Sequence, residues 1–238
     1  MSDWQLKRFW QNADVRQNEK GYTVELDGRA IRTPAKAPLV VPTNALAGQI
    51  AAEWNVVEGQ VNPAAMPFTR SANAAIDKVT QQHAEVADML AAYGDADLIC
   101  YRADGPSGLV DRQAEGWDPL LDWAESVLGA RLVPVQGVMH APQNMQSLSV
   151  LSKKVHALDV FALTAFHDLV SLSGSLIIGF AALHDLRPPA ELWAVSCVDE
   201  LWQQDQWGED AEALEMAAKK ENDFFHAHRF YNLSRSLG

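Results

Sequence analysis

A change of hydrophobic period at Thr43 divides this chain into two kinds of structure. Before it, Tyr22, Val24 and Leu26 alternate with Thr23, Glu25 and Asp27, the period of two that a half-buried strand requires. The run continues through "DGRAIRTP", and Asp27-Gly28 is a strong two-residue hairpin signal, since both turn positions need positive φ. That register sets Val24 opposite Ile31 on one face. Further short strands are expected around Val15–Gln17 and Leu39–Val41, which makes a small antiparallel sheet. After Thr43 the apolar residues fall at helical spacing, Leu46, Ile50, Trp54 and Val57, with Thr43 or Asn44 as the cap. This helix is expected to cover one face of the sheet.

The loop "EGQVNPAAMP", with Pro63 and Pro67, is a plausible boundary. Beyond it the period is helical, and helices are expected near 68–79, 82–93, 107–128, 144–157, 160–184, 188–207 and 210–231. Gly94 and Gly129 stand where helix C-caps belong, and Pro188-Pro189 suits a first turn. Leu98–Tyr101 and Arg131–Val135 could be short extended pieces. The class is α+β: a small N-terminal antiparallel β-sheet region with a covering helix, residues 1–66, then a larger α-helical, orthogonal-bundle-like domain, residues 67–238.

Length and charge narrow the functions. A chain of 238 residues with 48% hydrophobic content can bury a core without staples. Cys100 and Cys197 are far apart and form no CxxC, so each reads as a small apolar residue in a reducing compartment. The net charge is −12, and nine carboxylates lie between Asp199 and Asp223 against Lys219 and Lys220. Such a surface repels phosphate backbones, so nucleic acid is not an expected partner. The most apolar run, Leu169–Leu183, falls short of the roughly 20 residues that span a bilayer and reads as a buried helix, so membrane insertion is not expected. Met1–Trp10 has no apolar core for a secretory signal and no transit-peptide composition.

Catalytic signatures are scarce. There is no GxxxxGK[ST], GxGxxG or GxSxG. His226 and His228 are two apart and leave a helix in different directions, so no metal or other cofactor is expected. His167 adjoins Asp168, but adjacent helical residues do not face each other. An enzyme would have to use His167 and a carboxylate in a cleft between the two regions, as a small-molecule hydrolase.

The stretch "ELWQQDQWGED" from Glu200 carries the other signal. Trp193, Glu200 and Trp207 are each one heptad apart, so on one continuous helix they share a side, with Cys197, Gln203 and Gln204 beside them. Asp199 belongs to a second stripe with Leu192, Val195 and Trp202. Two readings stay open. Either both tryptophans are core and Glu200 is a partly buried acid paired with an arginine, or this is a half-apolar contact surface with a central acid, the composition of binding hot spots.

Several segments together resemble one family in order and spacing: "GYTVELDGRAIRTP", "QIAAEWN", "MPFTRSANAAIDKV", "DLICYRAD", "WDPLLDWAESVLGARL", "FHDLVSLSGSLIIGFAAL" and "DELWQQDQWGED". The chain is similar over nearly its whole length to the assembly chaperones of the ATP synthase catalytic sector, of the type that binds the alpha subunit. The resemblance implies an α+β fold with a helical second domain. It implies no enzymatic activity, and a partner, the free alpha subunit, that is shielded until the beta subunit replaces it. It implies that Asp199 or Glu200 is an important acid and that Trp54, in "AEW", is an important position whose ordinary role is core packing. The pattern departs from the family at Cys197 and at Leu201, which thins the acidic run. The expected client-binding residues are Glu200, Asp199, Trp207, Trp193 and Gln203. A monomer is expected, in the bacterial cytoplasm, with eukaryotic relatives in the mitochondrial matrix.

Overall fold

The computed structural model describes residues 7–208 and 210–235. Glu209, one carboxylate of the acidic run, lies outside the described residues, as do Met1–Leu6 of the stretch read for a signal segment and Ser236–Gly238. The chain divides into two compact units. The first holds residues up to Gln82 with 160–164 and 229 onward; the second holds 83–159 and 165–228. The boundary expected at 66/67 therefore falls inside the first unit.

In the first unit, β1 (Ala13–Asn18), β2 (Gly21–Leu26) and β3 (Arg29–Ala30) form an antiparallel sheet in that order. Asp27 and Gly28 take φ of 46° and 81° at the hairpin, and Ile31 N donates to Val24 O at 3.0 Å, the register the alternation requires. Tyr22 pairs with Val41, so the stretch near Leu39 extends the sheet by an isolated bridge. The helix α1 (Asn44–Asn55) starts at Thr43, whose side chain accepts from Leu46 N. Its buried Leu46, Ile50 and Trp54 complete a core with Val24 and Leu26. The Trp54 ring lies 5.2 Å from that of Trp10, tilted 60° to it, and the Trp10 indole donates to the Trp54 carbonyl.

Glu53 shows why the loop at Pro63 does not end this unit. The helix α2 (Pro67–Ala74) has no side-chain cap of its own. Glu53 on α1 supplies the acceptor instead, taking Phe68 N at 2.6 Å and Thr69 N at 2.8 Å. Burial pushes its carboxyl up, against those hydrogen bonds. A π-turn at Ala75–Val79 leads into α3 (Thr80–Ala91), and the units divide at Gln82, whose φ of −121° breaks the helix. Late segments finish the first unit: Thr43 Oγ1 donates to Leu233 O, and Phe161 and Phe230 pair at 6.3 Å.

The second unit is mostly helical: α4 (Ser107–Trp123, prolonged by a π-turn to Leu128), α5 (Met145–His156), most of α6 (Val160–Ser173), α7 (Leu176–Leu183), α8 (Pro189–Ser196), α9 (Val198–Trp207) and the first part of α10 (Ala211–Arg235). The extended pieces expected at Leu98–Tyr101 and Arg131–Val135 are met only at their last residues: Leu98–Cys100 is a 3₁₀ turn, and β4 (Tyr101–Arg102) pairs in parallel with β5 (Val135–Gln136). Gly129 caps α4 at φ 73°, whereas Gly94 lies in a 3₁₀ turn, tight against Leu148 and Leu176, and serves close approach.

Two expected helices are each broken once. The 160–184 run turns at Gly174, φ 69°, and restarts at Ser175, whose hydroxyl accepts from Ile178 N. Asp97, fully buried, adds a second acceptor for the new helix, taking Ile177 N at 3.1 Å and Ile99 N at 3.2 Å. The other break is at Cys197 (φ −109°, ψ 22°), between α8 and α9. It frees carbonyls at the end of α8, and Trp117 Nε1 takes that of Val195 at 2.6 Å, while Ser196 Oγ takes that of Trp193 at 2.7 Å.

Candidate functional site

The break at Cys197 rearranges the tryptophan-acid edge. Trp193 on α8 is 8% exposed, its ring 5.7 Å from Phe224. It belongs to the core of the second unit and no longer shares a side with Glu200. Within α9 the heptad survives: Glu200, Gln203 and Trp207 lie at i, i+3 and i+7 and all three are exposed, Trp207 at 78%.

The opposite face of α9 is held to α4. Asp199 Oδ1 accepts from Gln113 Nε2 at 2.7 Å, and Gln113, 2% exposed, also binds Ala103 N through Oε1 at 2.8 Å. Trp202 lies over Gly108, where an added Cβ would stand 2.7 Å from the indole, so only glycine lets the ring settle there. Arg112 covers the ring at 4.9 Å and pairs with Asp205 at 2.7 Å. Both partners of that ion pair are about half exposed, so it contributes at most about 1 kcal/mol, and the stacking adds about 0.5–1 kcal/mol. Buried Gln113 and the glycine-seated indole therefore fix α9 more than the ion pair does.

The two acids thus differ in kind. Asp199 is half-buried and hydrogen-bonded by a glutamine, while Glu200 is exposed and forms no ion pair among the described residues. The expectation of an arginine-paired Glu200 is not met. The residues that sequence reasoning missed are Gln113, Arg112 and Gly108. They lie about ninety positions from their α9 partners, and no local period could have announced them.

His167 does not build a catalytic pair across a cleft. Its Nδ1 meets its own neighbour, Asp168 Oδ1, at 2.9 Å, which adjacent helical positions were not expected to allow. That hydrogen bond raises the imidazole pKa. Three shallow surface cavities of about 170, 320 and 380 Å³ have His167 on none of their walls. Burial pushes the Cys100 thiol up to about 12 and the Cys197 thiol upward too, which makes both poor nucleophiles. Among the described residues, no three His, Cys, Asp or Glu side chains converge as metal ligands, and no helix is long and apolar enough to cross a membrane.

Comparison with known proteins agrees with this geometry. The ATP12 chaperone protein family matches residues 7–125. A crystal structure of Atp12 from Paracoccus denitrificans superposes with a TM-score of 0.95 at 47% identity, covering 98% of this chain and 100% of that one. An aspartate-to-lysine mutant of the same protein superposes equally well at 46% identity. A crystal structure of a candidate chaperone from Agrobacterium tumefaciens gives 0.90 at 40% identity, covering 95% of this chain and 85% of that one. The mitochondrial protein atp12 of Schizosaccharomyces pombe is 26% identical over 225 residues, 88% of this chain and 77% of its own length. The fold is theirs, the enzyme reading built on His167 gives way to that of a chaperone, and the chain belongs to the ATP12 family, the ATP synthase catalytic-sector assembly chaperones that its sequence resembles.

Proposed function

We propose that this chain holds the free alpha subunit of the ATP synthase catalytic sector until the beta subunit replaces it, and that the outer face of α9 touches the client. The observation that carries this is Trp207. A tryptophan 78% exposed on a helix with no buried residue loses contact energy in water and regains it only against a partner. Glu200 and Gln203 supply the polar rim that keeps such contact reversible. Asp199 acts from behind through Gln113, and Trp193 through Phe224, by fixing where α9 stands. Trp54 serves through the core beneath the sheet. The chain works as a monomer in the bacterial cytoplasm; the Schizosaccharomyces pombe relative is named as mitochondrial.

The test is a pulldown with purified chain. Free alpha subunit is expected to be retained and assembled enzyme is not. Glu200→Lys, exposed and without an ion pair among the described residues, is expected to weaken retention with the fold intact, since losing an acid from the first turn of α9 costs at most about 1 kcal/mol. Retention of neither form, or unfolding of the Glu200→Lys variant, defeats the assignment.

A further inference from the structure

The loop from Val133 to Met145 carries the most exposed large apolar side chains among the described residues. Val138 is 91% exposed, Met139 80% and Met145 79%. The same stretch has no Lys, Arg, Asp or Glu, in a chain where 21% of residues are charged. An apolar stretch left in water with no charge in it is the mark of a contact site. The exposure is imposed by a frame. Gln143, 7% exposed, closes the neck: its Oε1 accepts from Val133 N at 2.8 Å and its Nε2 donates to Val133 O at 2.9 Å. Its own N donates to Asp95 Oδ1 at 2.8 Å. Before the tip, Gly137 turns at φ 82° and its N donates to Arg102 O at 2.8 Å. After the tip, His140 Nδ1 meets Tyr101 Oη at 3.1 Å, and its Nε2 lies 3.4 Å from Asp95 Oδ2. Only Val138 and Met139 stand between these two anchors, and both are left in water. A loop with a closed neck and anchored flanks has little freedom to lose on binding.

The same frame ties the tip to α9. The peptide group between Arg102 and Ala103 is held at both ends. Its carbonyl takes Gly137 N, and its N–H donates to Gln113 Oε1, while Gln113 Nε2 holds Asp199. Three hydrogen bonds and two amide groups thus join Gly137 to the Asp199 carboxyl, which sets them within about 14 Å of each other. A standard interface covers about 800 Å² on each partner, roughly 30 Å across. A partner seated on α9 therefore has the loop tip within the span of one such footprint.

We propose that Val138 and Met139 form a second contact with the client, entering an apolar recess of the free alpha subunit beside the surface that α9 touches. The proposal rests on the client assignment above and extends it. The chemistry of the tip selects the occupant. An uncharged apolar pair gains nothing from a phosphate-bearing or strongly charged surface. It gains from apolar area that an unassembled subunit leaves in water until its neighbour arrives, and an assembly chaperone meets such a subunit. Methionine, unbranched and polarizable, adapts to the contour it meets.

The test uses the full chain, alone and with purified alpha subunit. Dilute hydrogen peroxide converts an exposed methionine to its sulfoxide, the sulfur gaining one oxygen and the peroxide leaving as water. Met139 is expected to oxidise readily in the free chain and at least about tenfold more slowly in the complex, read by mass spectrometry of its peptide. A Val138→Ser, Met139→Ser variant, changed only at side chains that lie in water, is expected to keep the wild-type fold and to bind the alpha subunit about tenfold or more weakly. If wild type does not retain the alpha subunit, the client assignment itself falls. If wild type retains it and Glu200→Lys weakens it, yet Met139 oxidises equally fast with and without client and the double variant binds as wild type, only the loop contact is refuted. Protection of Met139 in the chain alone, with a sedimenting dimer that the double variant loses, would make the tip a self-association surface and also refute it.

Discussion

Asp97 shows how much one buried group can govern. Burial raises its pKa from 3.8 to about 6, even though Ser175, Ile177, Ile99 and Leu176 all hydrogen-bond it. Ser175, Leu176 and Ile177 lie at the start of α7, where a negative charge is favourable, and Ile99 lies in the turn just after Asp97, so desolvation is the larger effect. The sign is opposite to that of a salt-bridged aspartate. As pH rises from about 4 to about 6, the unfolded chain has released the proton and the folded chain retains it. Ionisation therefore costs stability progressively across that window, and the cost is complete above it. Asp97→Asn removes the titration but exchanges an acceptor for a donor, which adds an offset independent of pH. The urea midpoint of wild type should fall relative to that of Asp97→Asn between about pH 4 and pH 7. A difference between the two that does not change with pH would mean the folded carboxyl does not titrate there. Asp97 also pushes the Cys100 thiol upward, second to burial, so the neighbouring cysteine stays protonated and inert.

Elements were legible where the signal was local. Asp27-Gly28 announces its hairpin because two consecutive residues must take positive φ, and Thr43 announces α1 because its hydroxyl is the cap. The Gly129 cap follows for the same reason. The breaks at Gly174 and Cys197 were not legible. An apolar run through "SLSGSLIIG" has no period that marks a corner, and what stabilises the corner is Asp97, from another element. At Cys197 no helix breaker exists in the sequence; a tryptophan 78 positions away takes the freed carbonyl. So the surface half of the tryptophan-acid edge could be read, and its division between core and surface could not. The corner at Gly174 can be measured. A Cβ there would meet Leu98 at an ordinary 3.6 Å, so Gly174→Ala should cost chiefly the left-handed backbone, about 1–2 kcal/mol by denaturant unfolding, with client retention unchanged. No loss of stability would mean the corner relaxes to another conformation.

At the scale of the molecule, order along the chain and order in space disagree. The first unit contains the earliest residues, yet it also needs 160–164 and the segment from 229 onward, with Phe161 against Phe230, Arg229 Nη2 on Gln49 at 2.8 Å and Thr43 on the Leu233 carbonyl. A chain cut after His228 should therefore lose protection in its N-terminal sheet and in α1, read as faster exchange at Val24 and Leu46, with the amides of α4 affected less. Equal protection with and without the last turns would show that the sheet stands unaided. During synthesis the same arrangement sets a schedule: the part translated first is completed last, once the ribosome has released the tail that closes it. Until then a nascent chaperone exposes its own unfinished core, and for that interval it needs the kind of shelter it later gives.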